Sequence, residues 1–363
     1  MLAGFAAALL VLAAHGQTRD GRAVFESACA ACHSSDGRGR TSSEVGFDLP
    51  LPDFADCDFA SREPNGDWSA IVHRGGPIRG FDSMMPAFGE ALSDAEIESA
   101  IEHLREFCTD PRWPRGELNL PRALFTEKAF PEDEAVITTT AVTEGPDSLT
   151  HQFVWEQRFG TSNQIEISVP ITRADLGDPE GWASGTGDLA VGVKHVLAHD
   201  LDRGSILSVG GELVLPTGDE AKGFGQGTTV LEASVMYDKL LAHDSFVQIQ
   251  AIFESPHDSA LENELTVRAA LGRTWATDGT FGRAWTPMLE ILGTRELESG
   301  ARTEWDVVPQ FQVTLNARQH LMAAAGLRIP ATDSGPRSTE LVFYLLWDWY
   351  DGGVLEGWHA PEP

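Results

Sequence analysis

The run I-L-S-V-G-G-E-L-V-L at 206–215 reads in twos. Leu207, Val209, Gly211, Leu213 and Leu215 make a nearly apolar face, while Ile206, Ser208, Gly210, Glu212 and Val214 make a mixed one. Strict alternation of this kind is the mark of a β-strand, because successive strand side chains point to opposite faces. The pattern recurs outward in both directions. Leu265, Val267, Ala269 and Leu271 oppose Glu264, Thr266, Arg268 and Ala270, and Trp305, Val307, Phe311, Val313 and Leu315 oppose Asp306, Gln310, Gln312 and Thr314. Stretches at 165–171, 189–197, 231–237, 247–253, 321–329 and 341–349 behave alike. About twelve strands are expected between Ala135 and Tyr350. Turns such as Asp202 to Gly204, Thr277 to Gly282 and Asp333 to Gly335 join them.

An all-antiparallel chain of this size folds either as a soluble sandwich or barrel with apolar faces inside, or as an outer-membrane barrel with apolar faces toward lipid. The tryptophans favour the second. Trp155, Trp275, Trp285, Trp305, Trp347 and Trp349 sit near strand ends, where an interfacial girdle belongs. A formal charge of -29 argues against nucleic acid or an anionic membrane surface as partner and favours solubility or a basic partner, and it does not argue against a barrel whose lumen and loops hold the acids.

The first third of the chain has another pattern. C-A-A-C-H at 29–33 has the spacing with which Cys29 and Cys32 take thioether bonds to a haem and His33 ligates its iron. Helical spacing leads into it from Gly21 through Val24 and Phe25, and M-P-A-F follows at 85–88. A short helix is expected from Asp67 to His73. Ser93-Asp94-Ala95-Glu96 is a capping box opening a helix whose Ile97, Ile101, Leu104 and Cys108 share one face. Over about 18–108 the chain resembles the class I c-type cytochromes. The resemblance implies a small all-α domain with one covalent haem c, His33 as proximal ligand and a Met-Pro methionine as the distal one. Pro86 draws Met85 out of helical geometry and into a loop suited to the haem face, so Met85 is preferred over Met84. His73 is an alternative distal ligand. Arg79 and Arg62 are candidates to pair with the haem propionates, since a guanidinium fits a carboxylate bidentately.

The remaining cysteines, Cys57 and Cys108, form an even pair, which in an oxidising compartment is expected to be a disulfide. Residues 1–16 carry an apolar run from Leu2 to Ala14, too short to span a bilayer, followed by small residues, and read as a signal peptide. Residues 17–110 form the cytochrome-like domain, with 18 acids against 8 Lys plus Arg, a balance suited to a basic redox partner. Pro111, Pro114, Pro121 and Pro131 mark 111–134 as an irregular linker. The barrel runs over 135–350 and a tail over 351–363.

A second resemblance lies in the barrel. G-T-G-D-L-A-V-G-V-K-H at 185–195, S-V-G-G-E-L-V-L-P-T-G-D at 208–219 and the Gly223, Gly225, Gly227 loop resemble the outer-membrane barrels of the meta-pathway phenol-degradation family, associated with uptake of aromatic compounds. In plan the whole chain is similar to cytochrome–porin fusions. That plan implies electron transfer by a tethered haem between periplasm and exterior, with a redox protein or a small electron donor or acceptor and outer-membrane lipid as partners. The alternative is an outer-membrane transporter or porin whose N-terminal domain is a plug or redox sensor. A peroxidase-type enzyme would need an open iron position, which Met85 would deny. Twelve tilted strands enclose a cylinder about 23 Å across. A domain of about 90 residues is near 30 Å across, so it must cap or plug one mouth. Glu212, Glu232, Glu254, Glu264, Asp306 and Glu340 are candidates for a cation path through the lumen, with solvated lumen side chains as the alternative.

Overall fold

Each expected strand has two hydrogen-bonded neighbours, and the last pairs with the first. The computed structural model describes residues 19–142, 147–177, 179–258, 260–276, 284–332 and 337–357. The expected signal peptide, the turns expected at 277–282 and 333–335, and the end of the tail lie outside the described residues. Six helices come first: α1 (Gly21–Ala28), α2 (Ala30–His33), α3 (Ser42–Val45), α4 (Cys57–Ala60), α5 (Asn65–Arg74) and α6 (Asp94–Arg105). The strands follow: β1 (Glu134–Val142), β2 (Ser148–Phe159), β3 (Asn163–Asp175), β4 (Trp182–Thr186), β5 (Leu189–Asp200), β6 (Ser205–Leu215), β7 (Val230–Leu240), β8 (Ser245–Pro256), β9 (Glu264–Arg273), β10 (Trp275–Ala276), β11 (Ala284–Glu296), β12 (Glu304–Thr314), β13 (Leu321–Pro330) and β14 (Glu340–Asp348).

Twelve of these close an antiparallel barrel. Its order is β1-β2-β3-β5-β6-β7-β8-β9-β11-β12-β13-β14, and β14 returns to β1 with Glu134 opposite Asp348. β4 and β10 are short additions to β3 and β11. Closure leaves no unpaired edge, which any structure spanning lipid must achieve.

The barrel is built inside out. Val193, Leu231, Leu271 and Leu341 face outward and are each more than half exposed, while Gln248, Gln250 and Glu290 face the lumen and are fully buried. A water-soluble barrel would bury the first set and expose the second. An apolar exterior on strands of this length, tilted as barrels require, gives a band about 25 Å tall. Trp155 stacks on Trp349 with ring centroids 6.4 Å apart, and Trp275 pairs with Trp285 across β10 and β11. These four and Trp347 gather at one end of the wall, and Trp305 lies at the other. This architecture is that of an outer-membrane barrel. No helix among the described residues is long and apolar enough to cross a membrane, which says nothing of the strands.

The helical region has its own core, centred on Val24, Phe25, Trp68, Ile97, Ile101 and Leu104. α1 crosses α6 at Gly21, where any side chain would collide with the backbone oxygen of Ser99. The capping box forms as the sequence predicts, Ser93 and Glu96 each accepting from the other's backbone N–H. Arg105, at the end of α6, lies 3.5 Å over the Trp68 ring and donates to Asn65 Oδ1 and Glu63 O, which binds α6 to α5. Cys57 and Cys108 are disulfide-bonded, with Cα atoms 5.0 Å apart.

Candidate functional site: a plugged lumen

The segment 111–134, expected as a linker, is irregular apart from one 3-10 turn at Gly116–Leu118, but it runs through the barrel. Its backbone is held by side chains from strands on all sides. Leu124 N donates to Gln310 Oε1 at 3.0 Å on β12, Thr126 N and Oγ1 to Glu290 Oε2 at 2.7 and 2.6 Å on β11, and Ala129 N to Asp238 Oδ2 at 2.8 Å on β7. Ser208 on β6 donates to Ala129 O at 2.5 Å, and Tyr344 on β14 to Arg122 O at 2.7 Å. A segment hydrogen-bonded by opposite walls at once lies in the lumen. An irregular chain needs such partners, because every buried backbone group left unpaired costs free energy.

Apolar side chains of the plug supply the second hold. Leu118 and Phe130 pack with Val196, Ile206 and Met236, and Leu120 and Ala123 pack with Phe246, Ala270 and Met288. These wall residues explain the apolar members that interrupt the mixed face of β5 to β9 and β11. Two plug cations meet carboxylates: Arg122 pairs with the wall residues Glu134 at 2.5 Å and Glu156 at 2.9 Å, and Lys128 pairs with Glu132 of the plug itself and with Glu134.

From beside the plug upward the lumen wall is acidic. Directly opposed residues run Glu156 to Glu166, Glu166 to Gly192, Gly192 to Glu212, Glu212 to Glu232, Glu232 to Glu254, Glu254 to Glu264 and Glu264 to Glu296. Opposed residues of paired strands share a face, so seven carboxylates make one row inside the barrel. The strands are tilted, and the row therefore climbs. Glu156 lies near the β2–β3 turn, whereas Glu264 begins β9 and Glu296 ends β11 at the opposite mouth. Gly192 is the gap, where an added Cβ would lie 3.2 Å from Glu212 Oε2. A cavity of about 40 Å³ opens there, lined by Glu166, Glu212, Glu232, Lys194, Gln164 and Gln250 among others. At the top a vestibule of about 240 Å³ is lined by Glu264, Glu296, Glu298, Glu304 and Arg302. Of the acids marked in the sequence, Glu212, Glu232, Glu254 and Glu264 belong to this row. Asp306 and Glu340 are bound to Arg328 instead.

The helical cap sits at the mouth where the connections are short. Arg62 pairs with Asp133 and stacks 3.5 Å over Tyr350, Arg318 donates to Gly80 O at 2.9 Å, and Ser162 to Arg112 O at 3.3 Å.

The residues expected around a haem are placed as follows. Cys29 and Cys32 are in no disulfide, and burial pushes the Cys29 thiol up to about 11. His33 packs 5.3 Å from Phe54, and burial holds its imidazole below the usual value. Met85 packs against the cap core, whereas Met84 is half exposed. Arg79 pairs with Asp67 at 2.6 Å, and Arg62 with Asp133 and Asp58.

A family model described as cytochrome c oxidase, cbb3-type, subunit III matches residues 16–104, well under half of the chain. No curated protein matches. Among solved structures, the chain is similar to an outer membrane channel from Pseudomonas putida F1, at 13% identity and a TM-score of 0.47, covering 63% of this chain and 99% of that one. It is also similar to the KdgM porin, at 10% identity and a TM-score of 0.39 over 60% of this chain and 99% of that one. A c-type cytochrome shares 25% identity over 25% of this chain and 100% of its own, at a TM-score of 0.22.

The haem reading is corrected by the structure. Among the described residues no three His, Cys, Asp or Glu side chains come together to hold a metal ion. The buried Nδ1 of His33 has no hydrogen-bond partner, whereas a metal-ligating imidazole ordinarily donates that N–H to an orienting acceptor. The residues present thus do not fit a covalent haem c, and the expected electron transfer, iron binding and cytochrome role are set aside.

Sequence reading missed the plug's partners. Their signal was present in the inward alternation: Gln248, Gln250, Gln310 and Gln312 stand where a water-filled pore has no need of amides. The cue pointing back to 111–134 was its Leu118, Leu120, Phe125 and Phe130, which are too apolar for a solvated linker.

Proposed function

We propose that this protein is an outer-membrane channel whose lumen is closed by its own segment 111–134. The observation carrying the proposal is that this segment occupies the lower lumen through bonds from wall side chains, while an acidic vestibule of about 240 Å³ lies at the other mouth. The plug enters from the side of the helical cap and is continuous with both the cap and β1, so displacing the cap and opening the lumen are mechanically linked.

The cap is placed on the periplasmic side in this reading. The connections at its mouth are 160–162, 201–204, 241–244 and 315–320, and those at the other are mostly longer, 176–188, 216–229 and 331–339. Outer-membrane barrels keep their short turns in the periplasm. The resemblance of 185–219 to barrels associated with aromatic uptake is in keeping with a transport role.

The test is planar-bilayer conductance of the full chain against the Asp238→Asn, Glu290→Gln variant, which weakens the plug's bonds to β7 and β11. The wild type is expected to conduct rarely and the variant in frequent discrete steps. Absence of any conductance in both removes the proposal.

A further inference from the structure

Four successive like-charge contacts, Glu212 to Glu232, Glu232 to Glu254, Glu254 to Glu264 and Glu264 to Glu296, lie directly across paired strands. Each such contact is destabilising in a sheet, so the row is poorly explained by folding. The cation shared by Glu212, Glu232, Glu254 and Glu264 is Arg268, which itself donates to the plug at Phe125 O at 2.8 Å.

A second observation comes from the cavity below. Gln164 and Gln250 are fully buried or nearly so and line it. Their Oε1 atoms accept from Glu132 N at 2.7 Å and Glu127 N at 3.2 Å, which fixes the amide orientation. Both Nε2 groups are then left without a partner. Buried donors of this kind require an oxygen, and a cavity of about 40 Å³ has room for about three waters, or for a small cation with a few of them.

We propose that the carboxylate row is a path for small hydrated cations, with a resting place in the cavity between Glu166, Glu212 and Glu232. This rests on the channel reading and names its solute class. The amides hold the water, and the four carboxylates of the lining outnumber its single lysine, Lys194, so its ions are biased toward positive charge. No three carboxylates come close enough to strip and ligate a bare ion among the described residues, so the cation keeps its water and selection is by charge. The plug supports the same reading. Its Arg122 and Lys128 stand at Glu156 and Glu134, at the lower end of the row, where a passing cation would stand once the plug has left.

The experiment measures reversal potential in a KCl gradient across a planar bilayer. Glu290→Gln full chain, which loosens the plug, is compared with the same chain also carrying Glu212→Gln and Glu232→Gln. The row-intact chain should prefer potassium over chloride, and the preference should fall by about threefold or more when two charges are removed. Glu254→Gln, one step along the row, must move the ratio in the same direction, which guards against misfolding of the double replacement. Current without cation preference, or a preference untouched by these replacements, overturns the cation path and leaves the channel standing. No current in any chain overturns both.

Discussion

Arg62 of the helical cap and Asp133, the residue before β1, form an ion pair in which the carboxylate is almost wholly buried. The other oxygen of Asp133 accepts Arg158 N at 2.9 Å. Arg62 also lies over Tyr350, just past the end of β14. One cap side chain thus touches the end of the plug and both ends of the barrel sequence. Burial draws the Arg62 guanidinium down, but pairing with Asp133 outweighs it and holds its proton more tightly than usual. Arg62→Ala would leave a buried unpaired carboxylate, a loss of about 3–5 kcal/mol in comparable pairs. Part of this is recoverable, because all three guanidinium nitrogens of Arg158 are buried without hydrogen-bond partners. The expected outcome is partial release of the cap in Arg62→Ala and fuller release in Arg62→Ala, Arg158→Met. Cross-linking yield between cap and barrel reads this. Equal yields in the two variants would rule out the relay.

Docking of the cap should weaken as pH rises toward neutrality. Glu63, just before α5, hydrogen-bonds the Asp351 side chain in the tail. Burial pushes the Glu63 carboxyl up to about 7, with Asp67 and Asp348 adding to the rise and Arg79 opposing it. Burial likewise raises Asp351 well above its ordinary value, with Glu63 next in effect and Arg62 opposing. A carboxyl whose docked value lies above its free value takes up a proton on docking. Its contribution is therefore fully present below the ordinary carboxylate range near 4.5 and is lost as pH climbs through about 7. Cap–barrel cross-linking followed from pH 4 to 8 should show this loss, and Glu63→Gln should flatten it.

The wall was legible in the sequence and the plug was not, for one physical reason. A strand in lipid repeats its instruction every two residues, so Leu207 to Leu215 declare both the strand and its outer face. Twelve such strands then imply closure. Residues 111–134 have no period, because their backbone partners are side chains contributed one at a time by Glu290, Asp238, Gln310 and Gln250. The carboxylate row was half visible. Glu212, Glu232, Glu254 and Glu264 could be picked out as inward acids, but that they oppose one another depends on register, which alternation alone leaves open. The motif at 29–33 reads as haem attachment because local spacing is all it contains, and the unpartnered Nδ1 of His33 appears only in three dimensions.

Reduction should destabilise the cap and spare the barrel. The disulfide spans 51 residues and ties α4 to the end of α6, and a bridge over such a loop contributes about 4 kcal/mol on the chain-entropy account. The wall strands contain no cysteine. Calorimetry of the full chain is expected to show two transitions, with the cap transition alone shifting down on reduction or in Cys57→Ser, Cys108→Ser. A barrel transition that moves equally would mean the two regions melt as one unit.

Phe130 is the side chain on which retention of the plug most depends. It is 1% exposed, it packs with Leu118, Val196, Ile206 and Met236, and the Arg158 guanidinium lies 5.3 Å from its ring centroid. Phe130→Ala would remove the apolar contact and leave a void, together about 3–5 kcal/mol in well-packed sites. The backbone bond from Ala129 N to Asp238 lies one residue away, so loosening the ring also frees that anchor. Phe130→Leu keeps most of the volume and should cost under about 1.5 kcal/mol. Protease cleavage within 111–134, followed in the folded full-length protein, separates the outcomes. Rapid cutting is expected in Phe130→Ala and near wild-type resistance in Phe130→Leu. Equal resistance in all three would show that the hydrogen bonds from Glu290, Gln310 and Asp238 hold the plug without help from packing.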